Sequence, residues 1–331
     1  MKQKSILVTG GFGFLGSSLV CRLIKKGHRV RVLDNFSRGH RERLSDVEEA
    51  CEVVKADIRN AEAVGNAVRG VDCVCHLAFV NGTEFFYTQP DLVLDVAVKG
   101  IMNVLDSCIK HGVGELILAS SSEVYQTPPN VPTDESVPHS IPDPLNPRFS
   151  YAAGKIISEI MALNYGRKYF ERVVVFRPHN VYGPDMGWEH VIPQFVIRMK
   201  QLSQCSDDPV PFPIQGTGNE TRSFVFIEDF IDGVLLVVER GENLSIYNIG
   251  TMEEISIKAL AGLIGEYFGR ELKILPGEPV KGGTLRRCPD IKKLVALGYE
   301  PRYSLRDGLP VVAKWYDENA HKAPQASCKE K

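Results

Sequence analysis

The sequence predicts an α/β fold with a doubly wound parallel sheet, followed by a smaller C-terminal lobe. Short apolar runs alternate with segments whose apolar residues recur at helical spacing, and a glycine-rich turn directly follows the first run. Strands that alternate with helices imply right-handed crossover connections and a sheet that helices cover on both faces. The alternation then breaks at a proline-rich stretch, after which strand and helix signals are mixed.

The sheet strands are predicted from short runs that are largely apolar, as expected of strands in a sheet covered on both faces. These runs are 5–9, 30–34, 51–54, 73–78, 115–120 and 172–176. The helical spacing of apolar residues predicts the main helices between them. These helices are 15–24, about 91–111 and about 151–168. Residues 126–150 contain seven prolines, which predicts a largely irregular loop.

The mixed pattern after residue 178 predicts the domain organisation. Two short apolar runs, 223–227 and 245–250, are predicted strands in a region where proline and glycine are frequent. We therefore predict a first domain at 1–178 and a lobe mainly at 179–320, with the chains of the two interleaved. The last residues, 321–331, are predicted to be a polar tail.

The composition excludes several classes of protein. The chain has 331 residues and a formal net charge of −2, so no electrostatic argument favours nucleic acid or an anionic membrane as a partner. The N-terminal apolar run is too short for a signal peptide or a membrane span. Eight cysteines fit no zinc pattern and no disulfide framework. We therefore expect a cytoplasmic protein with reduced cysteines and no metal.

A glycine-rich turn follows the first strand and opens the first helix. Gly10 permits a tight turn, Gly13 lets the backbone approach a pyrophosphate, and Gly16 allows close packing of helix on strand. The free N–H groups at the start of the helix favour phosphate binding there. The pattern, in its first strand–helix unit, predicts a Rossmann-type dinucleotide-binding site.

An acidic residue ends the second strand, where a ligand for the ribose hydroxyls is expected. Asp34 lies 18 residues after Gly16, and a carboxylate there would repel a 2′-phosphate. This favours NAD over NADP, although Arg38 is close in sequence. The alternative is that Asp34 is only a helix cap or a turn residue. Asp57 and Ile58, after the third strand, are either adenine contacts or turn residues.

Tyr151 and Lys155 stand four residues apart at the start of a predicted helix, so they project from one face. A phenol has a pKa of about 10, and lowering it to about 7 needs about 4 kcal/mol. A cation about 5 Å away supplies about 3 kcal/mol at an effective dielectric constant of 20. With NAD supplying the rest, the tyrosine would act as a base while hydride leaves the same carbon. The alternative is an unrelated pair on a solvated helix.

A serine-rich segment follows the fifth strand, at the edge of the sheet where ligands bind in this kind of fold. A hydroxyl from Ser120–Ser122 would hydrogen-bond the reacting oxygen, and Glu123 would be a second acid or base. The alternative is that the serines only end the strand and that Glu123 is solvated.

Taken in order, these motifs resemble the extended branch of the short-chain dehydrogenase/reductase superfamily, the nucleotide-sugar epimerase/dehydratase family. The similarity runs from about residue 4 to 312. The motifs that carry it are the glycine loop, Asp34-Asn35, His76-Leu77-Ala78, 120–125 (SSSEVY), 151–155 (YAAGK), 177–184 (RPHNVYGP), 221–224 (TRSF) and 287–291 (RCPDI). The resemblance implies an NAD-binding domain and a lobe that binds a nucleotide-diphosphate sugar.

The resemblance also implies a role for each matching residue. Tyr151 would be the catalytic base, Lys155 its partner and a ribose ligand, and Ser121 the hydroxyl that polarises the sugar oxygen, with Glu123 as a further catalytic residue. The implied NAD ligands are Gly10, Gly13, Phe14, Leu15, Gly16, Asp34, Asn35, Asp57, Ile58, Leu77, Ala78, Tyr151 and Lys155. The implied substrate ligands are Ser122, Asn180, Arg222 and Arg287. Arginine suits a diphosphate because its planar fork of donors matches phosphate oxygens.

Four positions depart from the usual pattern of this family. Phe79 stands where alanine is usual, Gln126 where glycine is usual, and Gly154 where serine is common, while many members have threonine in place of Ser121. Phe79 and Gln126 are expected near the sugar, so they put the identity of the substrate in doubt more than the redox step.

The family resemblance leaves several reactions open after oxidation of the sugar at C4. Epimerisation is placed first, because it is the broadest activity among such sequences. The alternatives are 4,6-dehydration, decarboxylation of a uronic acid and simple oxidation or reduction. The segment Ser121–Glu123 looks more like that of GDP-mannose 4,6-dehydratases and UDP-glucuronate decarboxylases than that of UDP-glucose 4-epimerases, and the 287–291 motif looks similar to that of the decarboxylases. A non-catalytic dinucleotide sensor is the alternative from another class, and the Tyr–Lys pair argues against it.

The resemblance further implies a homodimer in which the helices at 91–111 and 151–168 pair between subunits. The second helix carries more apolar surface than one narrow core stripe needs. Its apolar residues are Ile156, Ile157, Ile160, Met161 and Leu163. The alternative is a helix buried within one subunit.

Overall fold

The computed structural model describes residues 3–279 and 282–324. Its strands are β1 Ser5–Thr9, β2 Arg29–Asp34, β3 Cys51–Lys55, β4 Cys73–His76, β5 Glu115–Ala119, β6 Arg172–Pro178, β7 Val181–Tyr182, β8 Val210–Pro213, β9 Thr221–Ser223, β10 Val225–Phe226, β11 Ser245–Ile249, β12 Glu254–Ser256, β13 Leu272–Leu275 and β14 Arg286–Arg287. Its α-helices are α1 Phe14–Lys25, α2 Ala61–Val68, α3 Thr83–Thr88, α4 Pro90–His111, α5 Ser150–Tyr169, α6 Val191–Ser203, α7 Ile227–Arg240, α8 Ile257–Tyr267, α9 Lys292–Val295 and α10 Leu305–Glu318.

Seven parallel strands form the central sheet, in the order β11-β6-β5-β4-β1-β2-β3. The order reverses next to β1, which is the position where a doubly wound sheet opens a crevice for a ligand. The predicted fold class is therefore confirmed. Residues 245–249, which fall in the predicted second lobe, pair with β6 and complete this sheet.

Alternate residues of each central strand enter two separate cores. In β1, Ile6 and Val8 pack with α1 and α7 on one face, while Leu7 packs with α2 and α4 on the other. A strand covered on both faces excludes water from its whole length, which is why the strand runs carry so few polar residues. Cys73 and Cys75 are both buried on the first of these faces, as their spacing predicts.

The principal predicted helices are confirmed within one residue at each end, and their ends follow local rules. Pro90 begins α4, a position where its missing N–H costs nothing, and Gly112 ends it in the left-handed conformation at φ 68°. The predicted loop at 126–150 is irregular apart from short 3₁₀ turns.

Two strand predictions need correction. The run 223–227 is not one strand: Ser223 ends β9, Val225–Phe226 pairs with β7, and Ile227 begins α7. Glu228 and Asp229 favour a helix start there, because acidic groups stabilise the positive end of the helix dipole. The run 73–78 is a strand only to His76, since the N–H groups of Leu77 and Ala78 both donate to the Thr9 hydroxyl, each at 3.2 Å.

The C-terminal lobe is built from small sheets and helices. Three short sheets, β8 with β13, β7 with β10, and β9 with β12 and β14, lie between helices α6, α8 and α10. Within the described ranges, no helix is both long enough and apolar enough to span a membrane. Of the predicted polar tail at 321–331, residues 325–331 lie outside the described part of the chain.

Candidate active site

A cleft of about 1480 Å³ runs along the carboxyl ends of the central strands and continues into the C-terminal lobe. Every residue predicted to contact NAD lines it, and so do all four predicted catalytic residues. Three of the four predicted substrate ligands, Ser122, Asn180 and Arg287, line the cleft as well. Parallel strands end at one edge of a sheet, so side chains far apart in sequence meet there.

The glycine loop forms a cradle that only glycine allows. Gly10 has φ 72°, and a Cβ there would lie 2.8 Å from the backbone of Ala78. A Cβ on Gly16 would lie 2.1 Å from the carbonyl oxygen of Gly10. The start of α1 has no side-chain cap and no acidic residue in its first turn, so its first N–H groups remain free for an anion. These residues fit the pyrophosphate of a dinucleotide.

Replacing Gly16 by alanine is expected to weaken NAD binding at least tenfold. The new methyl group collides with backbone, so α1 must shift away from β1, and such overpacking typically costs about 1–3 kcal/mol. Isothermal titration with NAD measures the change. The matched control is Gly262→Ala in α8, where a Cβ meets nothing within 4 Å and binding should be unchanged. Equal NAD affinity in the Gly16→Ala protein would contradict this account of the cradle.

Asp34 supports the glycine loop and also faces the cleft. One carboxylate oxygen accepts the N–H of Phe12 at 2.9 Å and the other accepts the N–H of Phe36 at 2.8 Å. The carboxylate therefore stabilises the turn, as the alternative interpretation expected. It also lines the cleft. Its role as a ribose ligand stays a prediction.

Asp57 forms an ion pair and a hydrogen bond with residues close to it in the same domain. Its carboxylate pairs with Arg59 at 2.9 Å and accepts from the Asn35 amide at 3.0 Å. The hydrogen bond from Arg59 is the largest influence that lowers the pKa of Asp57 to about 2. Asp57 is thus a fixed negative charge, with Asn35 oriented beside it.

The predicted catalytic pair lines the cleft from the first turns of α5. The Lys155 ammonium nitrogen lies 5.8 Å from the centre of the Tyr151 ring and donates to the Ala119 carbonyl at 2.8 Å. The Ser121 hydroxyl accepts the N–H of Glu123 at 3.2 Å, and the proximity of Ser121 acts to lower the pKa of the Tyr151 phenol. The structure thus brings Tyr151, Lys155 and Ser121 together.

In the protein without NAD, the pKa values of Tyr151 and Lys155 differ from those that the sequence argument expects. Burial raises the pKa of Tyr151 to about 12, because the site stabilises the neutral phenol more than the phenolate. Burial also lowers the pKa of Lys155 to about 7. The lysine therefore does not supply most of the shift that the sequence argument gave it. A bound positive charge close to the phenol is required.

Aromatic rings surround Tyr151. Phe86 of α3 stacks on it at a ring separation of 4.8 Å, and Phe79 meets it edge-on at 5.1 Å. Phe79 lines the cleft, as expected from its position, whereas Gln126 is buried away from it, with φ 52°. The expectation that Gln126 lies near the sugar stays a prediction.

Glu123 is not solvated but forms an ion pair across the two parts of the chain. Its carboxylate accepts from the Arg287 guanidinium at 2.7 Å. Burial alone would raise the pKa of Glu123, but Arg287, with help from Arg148 and Arg222, outweighs burial and holds that pKa below its ordinary value. Glu123 is consequently a carboxylate at neutral pH. The Nε of Arg287 is buried and has no hydrogen-bond partner among the described residues.

Two of the other predicted substrate ligands, Asn180 and Arg222, are held by backbone. The Asn180 amide donates to the Ser223 carbonyl at 2.9 Å and borders the cleft. Arg222 donates to the carbonyls of Thr221 and Thr284 and does not line the cleft. Burial lowers the pKa of Arg222 to about 10, with Arg287 acting in the same direction. A diphosphate role for Arg222 stays a prediction and requires the guanidinium to turn.

Two ion pairs that sequence reasoning missed join the two sides of the cleft. Arg38 pairs with Glu189, and Arg43 pairs with Asp185 at 2.6 Å. Both arginines follow β2, whereas both acids lie between β7 and α6, so the partners are more than a hundred residues apart. Charged residues in loops carry no periodic signal, which is why the sequence did not indicate them.

Comparison with known proteins gives consistent matches over nearly the whole chain. The sequence profile of the NAD dependent epimerase/dehydratase family matches residues 6–250. UDP-glucuronic acid decarboxylase 4 of Arabidopsis thaliana is 31% identical over 318 residues, which are 95% of this chain and 68% of that protein.

Solved structures match equally well. A double mutant of dTDP-glucose 4,6-dehydratase from Streptomyces venezuelae, crystallised with NAD, is 31% identical, with a TM-score of 0.85 and coverage of 97% of this chain and 98% of that chain. UDP-glucose 4-epimerase from Thermotoga maritima, crystallised with UDP-glucose, is 29% identical, with a TM-score of 0.83 and coverage of 96% and 99%. The names of these three proteins denote three different reactions.

Proposed function

Because this chain belongs to the NAD-dependent epimerase/dehydratase family and is an enzyme that uses NAD, we propose that it oxidises the sugar of a nucleotide-diphosphate sugar reversibly at C4 and epimerises that carbon. The observation that carries the proposal is the meeting of Tyr151, Ser121 and Lys155 in the same cleft as the glycine loop. NAD bound in this cleft supplies a hydride acceptor and a positive charge.

In this reaction, residues of the chain hold the oxygen atom of the sugar hydroxyl and transfer its proton. Ser121 holds the sugar hydroxyl, and Tyr151 takes its proton as the C4–H hydride leaves, which gives the 4-keto sugar. Burial keeps Tyr151 protonated in the protein without NAD, and additional positive charge beside the phenol would favour the phenolate that acts as a base. Return of the hydride to the opposite face, with return of the proton from Tyr151, gives the C4 epimer.

Epimerisation needs no group beyond this set, whereas dehydration does. Loss of water from a 4-keto sugar requires a base for the C5 proton and an acid for the leaving hydroxyl. Glu123 is held ionised by Arg287 and therefore does not provide that acid at neutral pH. This charge state supports epimerisation over 4,6-dehydration.

Decarboxylation of a nucleotide uronic acid is the second candidate, and the ion pair itself favours it. Arg287 borders the cleft, and its buried Nε has no hydrogen-bond partner in the described part of the chain, so it offers a donor to a substrate carboxylate. A 4-keto uronic acid is a β-keto acid, which loses carbon dioxide readily once its carboxylate leaves water. The decarboxylase of Arabidopsis thaliana noted above supports this alternative.

Product analysis of a substrate panel separates these reactions. The purified protein with NAD is incubated with UDP-glucose, UDP-glucuronate, dTDP-glucose and GDP-mannose, and products are examined by mass spectrometry and NMR. We expect a C4 epimer of unchanged mass. Loss of carbon dioxide from UDP-glucuronate would establish the second candidate, and loss of water would show dehydration. A dinucleotide sensor would give neither product nor a reduced-nicotinamide absorbance signal.

We propose that the enzyme is a homodimer that pairs through α4 and α5. These helices pack side by side and leave apolar side chains exposed, with Leu94 at 39%, Met102 at 44% and Ile160 at 46%. None of the five apolar residues of α5 named above is fully buried within the chain. A face of this kind supports pairing rather than burial within one subunit.

Replacing Met102 and Ile160 together by glutamate is expected to give a monomer, because each dimer would bury four additional carboxylates in an apolar interface. Sedimentation equilibrium measures the mass. The matched control replaces the exposed Leu145, outside both helices, by glutamate and should leave the mass unchanged. A wild-type protein that sediments as a monomer would contradict the proposal.

A further inference from the structure

The ring of Phe79 lies directly on the catalytic lysine. Its centre is 3.9 Å from the Lys155 ammonium nitrogen, well within the distance of a cation–π contact. The same ring meets Tyr151 edge-on, at an interplanar angle of 82°. Phe79 follows β4, while the catalytic pair lies on α5, so one side chain from a separate element touches both catalytic groups.

Lys155 has few other groups that stabilise its charge. It is only 4% exposed, and its hydrogen bond is to the Ala119 carbonyl. Among the described residues, no carboxylate lies within ion-pair distance of its ammonium group.

The titratable groups around Lys155 come from two elements. On α5 they are Tyr151 and Glu159, and on β4 the group is His76. Glu159 acts to raise the pKa of Lys155, but its carboxylate is already paired with Arg177. Burial lowers the pKa of His76 to about 3, so this ring is neutral.

Gly154 makes the contact between the ring and the lysine possible. A Cβ at Gly154 would lie 3.1 Å from the Cζ of Phe79 and 2.7 Å from the Cβ of Ala97. Both close approaches, to Phe79 and to Ala97 of α4, call for a glycine here, although glycine weakens a helix interior relative to alanine. The small residue on α5 and the large residue after β4 therefore form a matched pair.

We propose that Phe79 is a positioning residue, admitted by Gly154, whose ring face holds Lys155 as an ammonium ion beside Tyr151. The proposal rests on the proposed function only in that the ammonium ion is there to assist the tyrosine. A desolvated ammonium ion over an aromatic face is stabilised by the negative charge of the π system. Leucine fills similar space without that face, whereas tyrosine and tryptophan keep it.

The proton affinity of Lys155 is measured directly in the NAD-free protein. Only the neutral amine reacts with acetic anhydride, so mass spectrometry of the Lys155 peptide over a pH series gives the midpoint of its titration. We expect Phe79→Leu to lower this midpoint by about one pH unit, which corresponds to about 1.4 kcal/mol. Phe79→Tyr and Phe79→Trp should keep the wild-type midpoint. An unchanged midpoint in Phe79→Leu, or an equal fall in Phe79→Tyr, would overturn the proposal.

Gly154→Ala tests the contact between Phe79 and Lys155 by a change on α5. The added methyl group pushes on the ring, so it should lower the midpoint in the wild-type background and have much less effect in Phe79→Leu. Equal effects in both backgrounds would show that Gly154 acts on Lys155 without Phe79, which contradicts the matched pair. If Phe79→Leu does not fold, the midpoint of Gly154→Ala alone still tests the contact, and an unchanged midpoint there would contradict the proposal.

A pH profile of turnover then connects the lysine to catalysis. With the best substrate of the panel, kcat/KM in Phe79→Leu should fall at a lower pH on its alkaline side, by the same shift as the labelling midpoint. If no nucleotide sugar reduces NAD in the wild-type protein, the proposed function fails. The labelling experiment still decides the role of Phe79, since it needs neither NAD nor a sugar.

Discussion

Tyr151→Phe is expected to slow the reduction of NAD by the nucleotide sugar about 10²- to 10⁴-fold, the range that general base catalysis supplies. Phenylalanine keeps the ring that packs between Phe79 and Phe86, so the shape of the site is preserved. Only the hydroxyl that accepts the proton of the sugar is lost. Stopped-flow absorbance of the reduced nicotinamide in a single turnover measures the rate.

Binding measurements show whether the loss is chemical. The affinity of Tyr151→Phe for NAD should stay within a few-fold of wild type, because the glycine loop and Asp34 are untouched. Tyr165→Phe is the matched control, since Tyr165 lies on the same helix and does not line the cleft. A Tyr151→Phe enzyme that reduces NAD at the wild-type rate would remove Tyr151 from the mechanism.

Glu159→Ala is expected to lower the free energy of unfolding by about 3–5 kcal/mol, the usual cost of leaving one member of a buried ion pair alone. The carboxylate of Glu159 and the guanidinium of Arg177 are 0% and 1% exposed, and they are joined by two hydrogen bonds of 2.9 and 2.7 Å. Arg177 also donates to the Tyr125 hydroxyl at 2.6 Å. Urea denaturation followed by circular dichroism measures the change.

Two further variants separate the charge from the packing. The double variant Glu159→Ala/Arg177→Met should lose less stability than Glu159→Ala alone, because no unpaired charge remains buried. Glu52→Ala, which breaks the exposed pair with Arg31, should change stability little. Equal losses in Glu159→Ala and Glu52→Ala would contradict the role given to burial.

The same pair predicts how acid affects the protein. Burial would raise the pKa of Glu159, but the hydrogen bonds from Arg177 and His139 outweigh it and lower that pKa from its ordinary value of 4.5 to about 2. A depressed folded-state pKa contributes stability that is complete above pH 4.5 and is lost as the pH falls towards 2. The acid dependence of the unfolding midpoint in this range should therefore be weaker in Glu159→Gln than in wild type.

The sheet was predictable because short apolar runs in the local sequence indicate its strands. A run such as 5–9 is buried over most of its length, and its three central residues are therefore apolar. The run 223–227 misled for the same reason, since apolar content does not say which neighbour a strand will pair with. Within this run the chain passes from one small sheet to another: β9 pairs with β12, and β10 pairs with β7. These pairings depend on the folded lobe and not on the local sequence.

The active site was predictable where a motif fixes a local shape, as in the glycine loop and the Tyr151–Lys155 spacing. The site was not predictable where it depends on contacts between residues that are far apart in sequence. The partner of Glu123 comes from Arg287, 164 residues later, and the fit of Phe79 to Gly154 exists only in three dimensions. The charge states of Tyr151 and Lys155 depend on burial, which spacing does not reveal.

The pairing of β11 with β6 has a consequence for the order of folding during synthesis. The ribosome makes β6, up to Pro178, well before it makes Ser245–Ile249, so one edge of β6 stays unpaired while the first part of the C-terminal lobe is translated. Unpaired strand edges on nascent chains are prone to mispairing. The half of the protein that holds NAD is therefore finished only after the chain has passed residue 249.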